Sequence, residues 1–528
     1  MSVFDDPIAD GRLWDLCIIG SGHVGMAMAL ECETLGQSVL LLESGKMHID
    51  PELTDASRAE IVDMQRHAPM ETSTCRALGG TSWTWGGRCV AYDDVDFEHR
   101  DYLPDTEWPL SHSDIKPWYA KAAQYLLCGS DRFEALPVAG LNFGADVDVH
   151  SLERWSTNPK LALVHRDKLV RSKLIHVYLN STVVDLEVDD ASNSITSAVV
   201  AAADGRISIC AKKFIVAAGG VETTRLLLAV QRKHAGLFGG VNGPLGRYYM
   251  GHLSGKIANV VFNDPASVSA FDYELDSDGV YTRRRLTLTK EAQKANQVLN
   301  TAFWPDSPGS HERSAAQGTL VDYFDILRGR ANIKPSRPGY LMMNKLGKYP
   351  LRYHAEQVPN PESRIRLWGQ KDQFGMPRVT IDLRFTKPDV QSVIRSHQIL
   401  DKALQDNGFG KLNYLYPQNA LAAHVYKQAS DGYHQYGTTR MGVDPKRSVV
   451  DAHLRVHDIK NLYIASSSVC PTAGQANPTL LGVALGVRLI NEIIDEAKNT
   501  NHVHSQSNRF TRYIDPRVRP GHVLSRTA

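Results

Sequence analysis

Near the N-terminus the hydrophobic positions fall into short runs separated by glycine. Trp14 to Ile19 (WDLCII) is apolar apart from one aspartate and stops at Gly20. Residues 26 to 36 then carry apolar side chains at helical spacing and close on Gly36, and Ser38 to Leu42 (SVLLL) is apolar again. Short continuous runs predict strands buried on both faces, and a strand–helix–strand pattern this compact predicts one βαβ unit of a parallel sheet. Between residues 160 and 230, the stretches LIHVYL, STVVDLEV and AKKFIVAA predict short strands, with a helix from Glu222 to about Gln231. Ser363 to Phe385 alternates around a turn at Asp372 to Gly375 and predicts antiparallel strands. Residues 388 to 408 predict a helix, Asn461 to Ile464 a buried strand and Thr479 to Ile494 a helix. Residues 47 to 75 are helical or irregular, and 76 to 90, rich in glycine and tryptophan, predict a loop, as does 430 to 450. Residues 260 to 350 show no period. After Ala497 the chain turns polar and basic, with five Arg against one Asp from Asn499 to Ala528, and this tail is expected to extend or to reach a partner subunit.

Composition narrows the class. The 528 residues carry a formal charge of +1, which argues against a dedicated nucleic-acid binder, since phosphate recognition needs a basic excess. There is no apolar run of 18 residues, so no membrane partner is expected, and the acidic N-terminus lacks the apolar core of a secretory signal. The seven cysteines are scattered, with no CxxC pair, so neither a metal site nor a disulfide framework is expected, and a reducing cytoplasm fits best.

The strongest chemical signal is Gly20-Ser-Gly22-His-Val-Gly25, between the first strand and the first helix. The first glycine permits the tight turn, the second lets backbone approach a pyrophosphate, and the third lets helix and strand pack closely. The helix N-terminus then faces the anion. Glu43 ends the second strand, 18 residues beyond Gly25, where an acid accepts from ribose hydroxyls. This fingerprint does not separate FAD from NAD.

Other stretches do. Residues 434 to 442 read HQYGTTRMG and 470 to 480 read CPTAGQANPTL. Upstream lie RALGGTSWTWGG (76 to 87), WPL (108 to 110), AAGGVETTRLLL (217 to 228), GRYYMGH (246 to 252) and PNPESR (359 to 364). In order and spacing these resemble the glucose–methanol–choline (GMC) oxidoreductase superfamily, most of all its pyranose-oxidase, glycoside 3-oxidase and sugar-dehydrogenase branch. The resemblance spans about residues 14 to 495 and leaves 265 to 350 uncovered. It implies an α/β protein in which a Rossmann-like FAD-binding domain (1–97, 160–250 and 450–496) interleaves with an α+β substrate domain on an antiparallel sheet (98–159 and 251–449), followed by the tail (497–528). It implies FAD rather than NAD. By motif position it places Gly79, Gly80, Ser82 and Trp85 against the flavin and the backbone of Val183 on the adenine, with Asn477 and Thr479 where the last helix begins. Thr84 stands where some relatives carry a flavin-linked histidine, so a non-covalent cofactor is expected. His434 matches the catalytic histidine, and Asn477 the second active-site position.

A histidine suits removal of a hydroxyl proton because its pKa lies near neutrality, and an amide beside it holds the alcohol in register. His252 is evenly balanced between packing and substrate contact. His424, Arg440 and Met441 read as scaffold. The implied activity is FAD-dependent oxidation of a secondary hydroxyl of a pyranose or glycoside, at position 2 or 3, with oxygen or another acceptor taking the electrons. A non-sugar alcohol or natural-product intermediate is the alternative substrate, a non-catalytic flavin-binding protein is the alternative class, and a homo-oligomer stays open.

Overall fold

The computed structural model describes residues 3–7, 11–202, 205–306 and 346–510, excepting the side chains of 500–510. Two large sheets organise it. The first runs, in spatial order, Val3–Phe4, Ile175–Tyr178, Val39–Leu42, Leu13–Ile19, Gly205–Val216, Ser194–Ala202 and Thr182–Asp189, with Leu462–Ile464 also pairing with Gly205–Val216. Its centre is parallel: Ile19 pairs with Leu42 on one side and Val216 on the other, and Val216 pairs with Ile464. All four residues of Val39–Leu42 are buried, as a strand covered on both faces demands. The strand Ser194–Ala202 was not anticipated. It completes an antiparallel edge with its neighbours, so that Gly205–Val216 pairs antiparallel along its first half and parallel along its second.

The first helix, His23–Thr34, starts three residues earlier than its apolar pattern suggests, because His23 and Val24 are only partly buried. The last helix begins at Pro478 and continues to Phe510, well past the expected end at Ile494. Residues 511–528 of the tail lie outside the described residues. The two helices cross where Gly486 faces Val24 and Met28. A Cβ on Gly486 would stand 2.8 Å from Val24 Cγ1 and 3.1 Å from Met28 Cγ, so the crossing needs glycine.

The second sheet is antiparallel. His252–Phe262 pairs with Lys348–Ala355, which continues through Thr301–Pro305 and Leu286–Leu288 to Val147–Asp148. Gly410–Tyr414 and Ala429–Ser430 pair with the other edge of His252–Phe262. Two of the strands, Leu286–Leu288 and Thr301–Pro305, lie within the stretch without readable period, and His252–Phe262 and Lys348–Ala355 overlap its ends. They have their own core of Leu253, Ile257, Phe303, Leu351 and Tyr353 among others. Two smaller sheets join segments from far apart. Arg88–Val90, expected as loop, pairs with Leu152–Trp155, and Glu60–Ile61 pairs with Pro377–Asp382, which forms the expected hairpin with Arg364–Lys371. All seven cysteines are free. Among the described residues, no helix is long and apolar enough to cross a membrane.

Candidate active site

The carboxyl ends of the central parallel strands meet at the glycine turn, the position at which open parallel sheets bind ligands. A Cβ on Gly25 would fall 1.8 Å from the Gly20 carbonyl oxygen, so turn and helix fit only without a side chain there. At Gly22, by contrast, a Cβ would meet nothing within 4 Å, and its φ of −62° suits any residue. The second glycine therefore keeps space outside the fold clear, which is what a pyrophosphate at the helix N-terminus requires. Two buried polar atoms beside this space, His23 Nε2 and Ser82 Oγ, lack hydrogen-bond partners among the described residues. Left unpaired, such groups cost about 1–3 kcal/mol each, and a dinucleotide bound there would supply partners.

The other residues expected at the dinucleotide gather here. Gly79 N–H donates to Ser21 O (3.1 Å), and Gly80 lies so close to Gly22 that a Cβ on it would stand 2.8 Å from Gly22 Cα. Trp85 packs edge-on against His23 at 4.4 Å between ring centroids and donates Nε1–H to Pro159 O. Glu43 is buried at the end of its strand. Oε2 accepts from Ser21 and Oε1 from Gly45 N–H, and burial raises its pKa. Oε1 retains a lone pair for a ribose hydroxyl. Val183 is set beside Glu43 by its neighbours: Ser181 N–H donates to Glu43 O, and Thr182 Oγ1 lies 3.0 Å from Ser44 Oγ. Thr84 caps the short 80–83 turn.

The second cluster forms where the antiparallel sheet meets the last helix. His252 opens the strand His252–Phe262, and His354 lies opposite Ser254 on the next strand. Residues two apart share a sheet face, so the two imidazoles stack, with centroids 4.0 Å apart at 22°. His434 arrives on the loop after Ala429–Ser430, a short strand paired with His252–Leu253. Tyr436 holds that loop on both sides. Its backbone exchanges hydrogen bonds with Met250, and its hydroxyl donates to Ala476 O at 2.8 Å. This places Asn477 beside His434, with Nδ2 3.1 Å from His434 Nε2. Thr479, in the first turn of the same helix, is half-buried like Asn477.

These contacts assign the protons. His252 Nε2 lies 3.0 Å from Gly474 O, which only accepts, so Nε2 carries the hydrogen. Burial lowers the His252 pKa to about 3, leaving Nδ1 as a bare acceptor. His434 Nδ1, 2.8 Å away, must then be the donor. Burial, the neighbouring His252 and the Arg88 charge hold His434 well below the ordinary histidine range. Neutral and protonated on Nδ1, His434 presents the Nε2 lone pair toward Asn477, which is the arrangement of a poised general base. His354 is also held neutral, mainly by burial, and donates Nδ1–H to Gln475 O. The nearest nitrogens of the three rings lie within 4.8 Å of one another, a donor set that zinc accepts elsewhere. Here His252 spends both nitrogens on Gly474 and His434.

The structure thus brings His434 and Asn477, both expected at the site, together with His252, which the sequence left undecided, and with His354, whose strand KYPLRYHA carries no motif. The other histidines and scaffold candidates lie elsewhere. His424 stacks on Tyr416, Arg440 covers the Tyr248 ring and donates to Asp105 O, and Met441 is buried.

Comparison with known proteins agrees with this architecture. The GMC oxidoreductase profile, covering the family's C-terminal domain, matches residues 359–486. Paromamine 6'-oxidase of Streptomyces fradiae is 24% identical over 94% of both chains. A C-glycoside 3-oxidase of Microbacterium trichothecenolyticum is 45% identical over 126 residues, 24% of this chain and 23% of its own. A formate oxidase variant from Aspergillus oryzae RIB40 superposes with a TM-score of 0.53 at 15% identity, covering 93% of this chain and all of the other, and so shares the fold. The match over residues 359–486, together with the glycine turn, the two sheets and the histidine–asparagine pair, makes the chain similar to the GMC oxidoreductases, FAD-dependent enzymes acting on CH–OH donors.

Proposed function

We propose that this enzyme oxidises a secondary hydroxyl of a pyranose sugar or glycoside, at ring position 2 or 3, to the keto-sugar. The observation that carries the reading is the His434 tautomer, with a bare Nε2 beside an amide donor. His434 Nε2 takes the hydroxyl proton, and the resulting charge on the ring is stabilised through Nδ1–H by His252. Asn477 Nδ2–H donates to the substrate oxygen and keeps the carbon–hydrogen bond aligned. FAD, when bound, would supply the hydride acceptor. Gly22, Gly80, Ser82, Glu43 and Val183 would hold its dinucleotide portion, and Trp85, Asn477 and Thr479 would serve its flavin end. Segments 1–97, 160–250 and 450–496 form the cofactor half and 98–159 with 251–449 the substrate half. The sugar assignment is supported by the relatives named above, one acting on C-glycosides and another on paromamine.

Anaerobic mixing of the holoenzyme with a panel of monosaccharides and glycosides tests this. Bleaching of the flavin and recovery of a 2- or 3-keto product are expected, and admitting oxygen then shows whether it is the acceptor. Bleaching by simple aliphatic or aromatic alcohols alone would sink the pyranose assignment.

A further inference from the structure

We propose that the substrate sugar bears a carboxylate and that Arg88 receives it, with Arg285 adding its charge from behind. The sugar half of this rests on the pyranose reading above; the anion site stands on its own geometry. Three guanidinium groups, Arg88, Arg283 and Arg285, surround a single fully buried carboxylate, Glu153. Arg88 Nε lies 2.5 Å from Glu153 Oε2, Arg283 Nε 2.5 Å from Oε1, and Arg285 Nε 4.0 Å from Oε2. One carboxylate cannot neutralise three cations, and buried charge left unpaired is costly. Of the next acids, Asp306 pairs with Arg352, and Asp93 already accepts from Asn300 and Gln475 while burial pushes it toward its neutral form. Arg88 Nη2 and Arg285 Nη1 are buried and have no hydrogen-bond partner among the described residues. Arg285 is wholly enclosed, whereas the Arg88 side chain keeps 20% exposure.

The excess charge lies beside the histidine cluster. The Arg88 guanidinium stands 4.6 Å from the centre of the Trp304 ring. Trp304 is two residues from Ala302, which lies opposite His354, so Trp304 and His354 share a face of the antiparallel sheet. Arg88 is close enough for its charge to oppose protonation of His252, His354 and His434 alike. The pyrophosphate space at Gly22 lies instead at the end of the parallel sheet. Guanidinium groups match the two oxygens of a carboxylate, and a cationic amino sugar would be repelled by the same charges.

The test is stopped-flow flavin reduction of the holoenzyme by methyl glucuronide, methyl glucoside and glucosamine, in the wild type, Arg88→Gln and Arg88→Lys. The expected second-order rate constant for the glucuronide exceeds that for the glucoside by about 10–100-fold, the usual worth of a charged hydrogen bond. That ratio should collapse in Arg88→Gln and partly return in Arg88→Lys. Equal constants in the wild type overturn the proposal, and this comparison holds even if the variants fail to fold. A changed flavin potential with an unchanged ratio also overturns it, by assigning Arg88 to the cofactor. If none of the sugars reduces the flavin, the pyranose reading falls and the anion site is judged by binding. A difference spectrum of the oxidised flavin on adding glucuronate, present in wild type and absent in Arg88→Gln, sustains the site. No spectral change in wild type rejects it.

Discussion

The base role proposed for His434 turns on the position of one hydrogen, and His252 sets that position. Replacing His434 with Ala should leave FAD bound and slow flavin reduction about 10²–10⁴-fold; an unchanged rate would remove His434 from the chemistry. His252→Leu deletes the acceptor for Nδ1–H and frees the wrong tautomer, so reduction should slow and its pH profile shift. His252→Gln, which restores an acceptor oxygen, should recover part of both, an outcome that mere packing would not produce. The pH dependence follows from the direction of the shifts. With His434 held well below its ordinary 6.5, the acid limb of the flavin-reduction profile should lie below that value. The same cluster ties stability to pH. In the unfolded chain these histidines take up protons near pH 6.5, whereas the folded protein resists them. Their contribution is complete above about pH 6.5 and is lost as the pH falls, measurable as a declining melting temperature. At this scale His434 and Asn477 were legible because each sits in a run of small and polar residues that ordinary packing does not call for. His354, Arg88 and Arg285 carry no motif, and only the pairing of distant segments brings them together.

Elements differ in how far local sequence specifies them. The turn from Leu13–Ile19 into His23–Thr34 is written into three glycines with separable duties. Gly25→Ala drives a methyl into the Gly20 carbonyl and should impair folding itself. Gly22→Ala fits the backbone and meets no protein atom, so it should preserve the circular dichroism spectrum while weakening FAD binding. Equal FAD affinity in Gly22→Ala and wild type would mean that the pyrophosphate lies elsewhere. The parallel strands were visible as apolar runs because both faces are buried. The antiparallel strands between 252 and 305 were not, since burial there varies with the smaller sheets and loops packed against them, and alternation is broken. Arg88–Val90 read as loop because its glycine-rich flank dominates the local composition, whereas its pairing partner, Leu152–Trp155, is more than sixty residues away.

At the scale of the whole molecule, the cofactor is expected to be held without a covalent bond. Acid precipitation of the yellow protein should release FAD into the supernatant, and flavin retained in the pellet would refute the inference from Thr84. The general architecture was legible because its motifs recur in order along most of the chain, whereas pocket specificity depends on contacts between distant segments. The Tyr436–Ala476 bond shows what that distance entails. It fastens the loop of the base to the loop of the amide, and His434 meets a residue 182 positions away in His252. Closing loops of that length is entropically slow, and contacts so remote in sequence form late. Catalytic competence should therefore be among the last properties to return when the denatured enzyme is diluted into FAD. Refolding followed by two clocks, recovery of bound-flavin fluorescence and recovery of substrate-dependent bleaching, should show the second lagging the first.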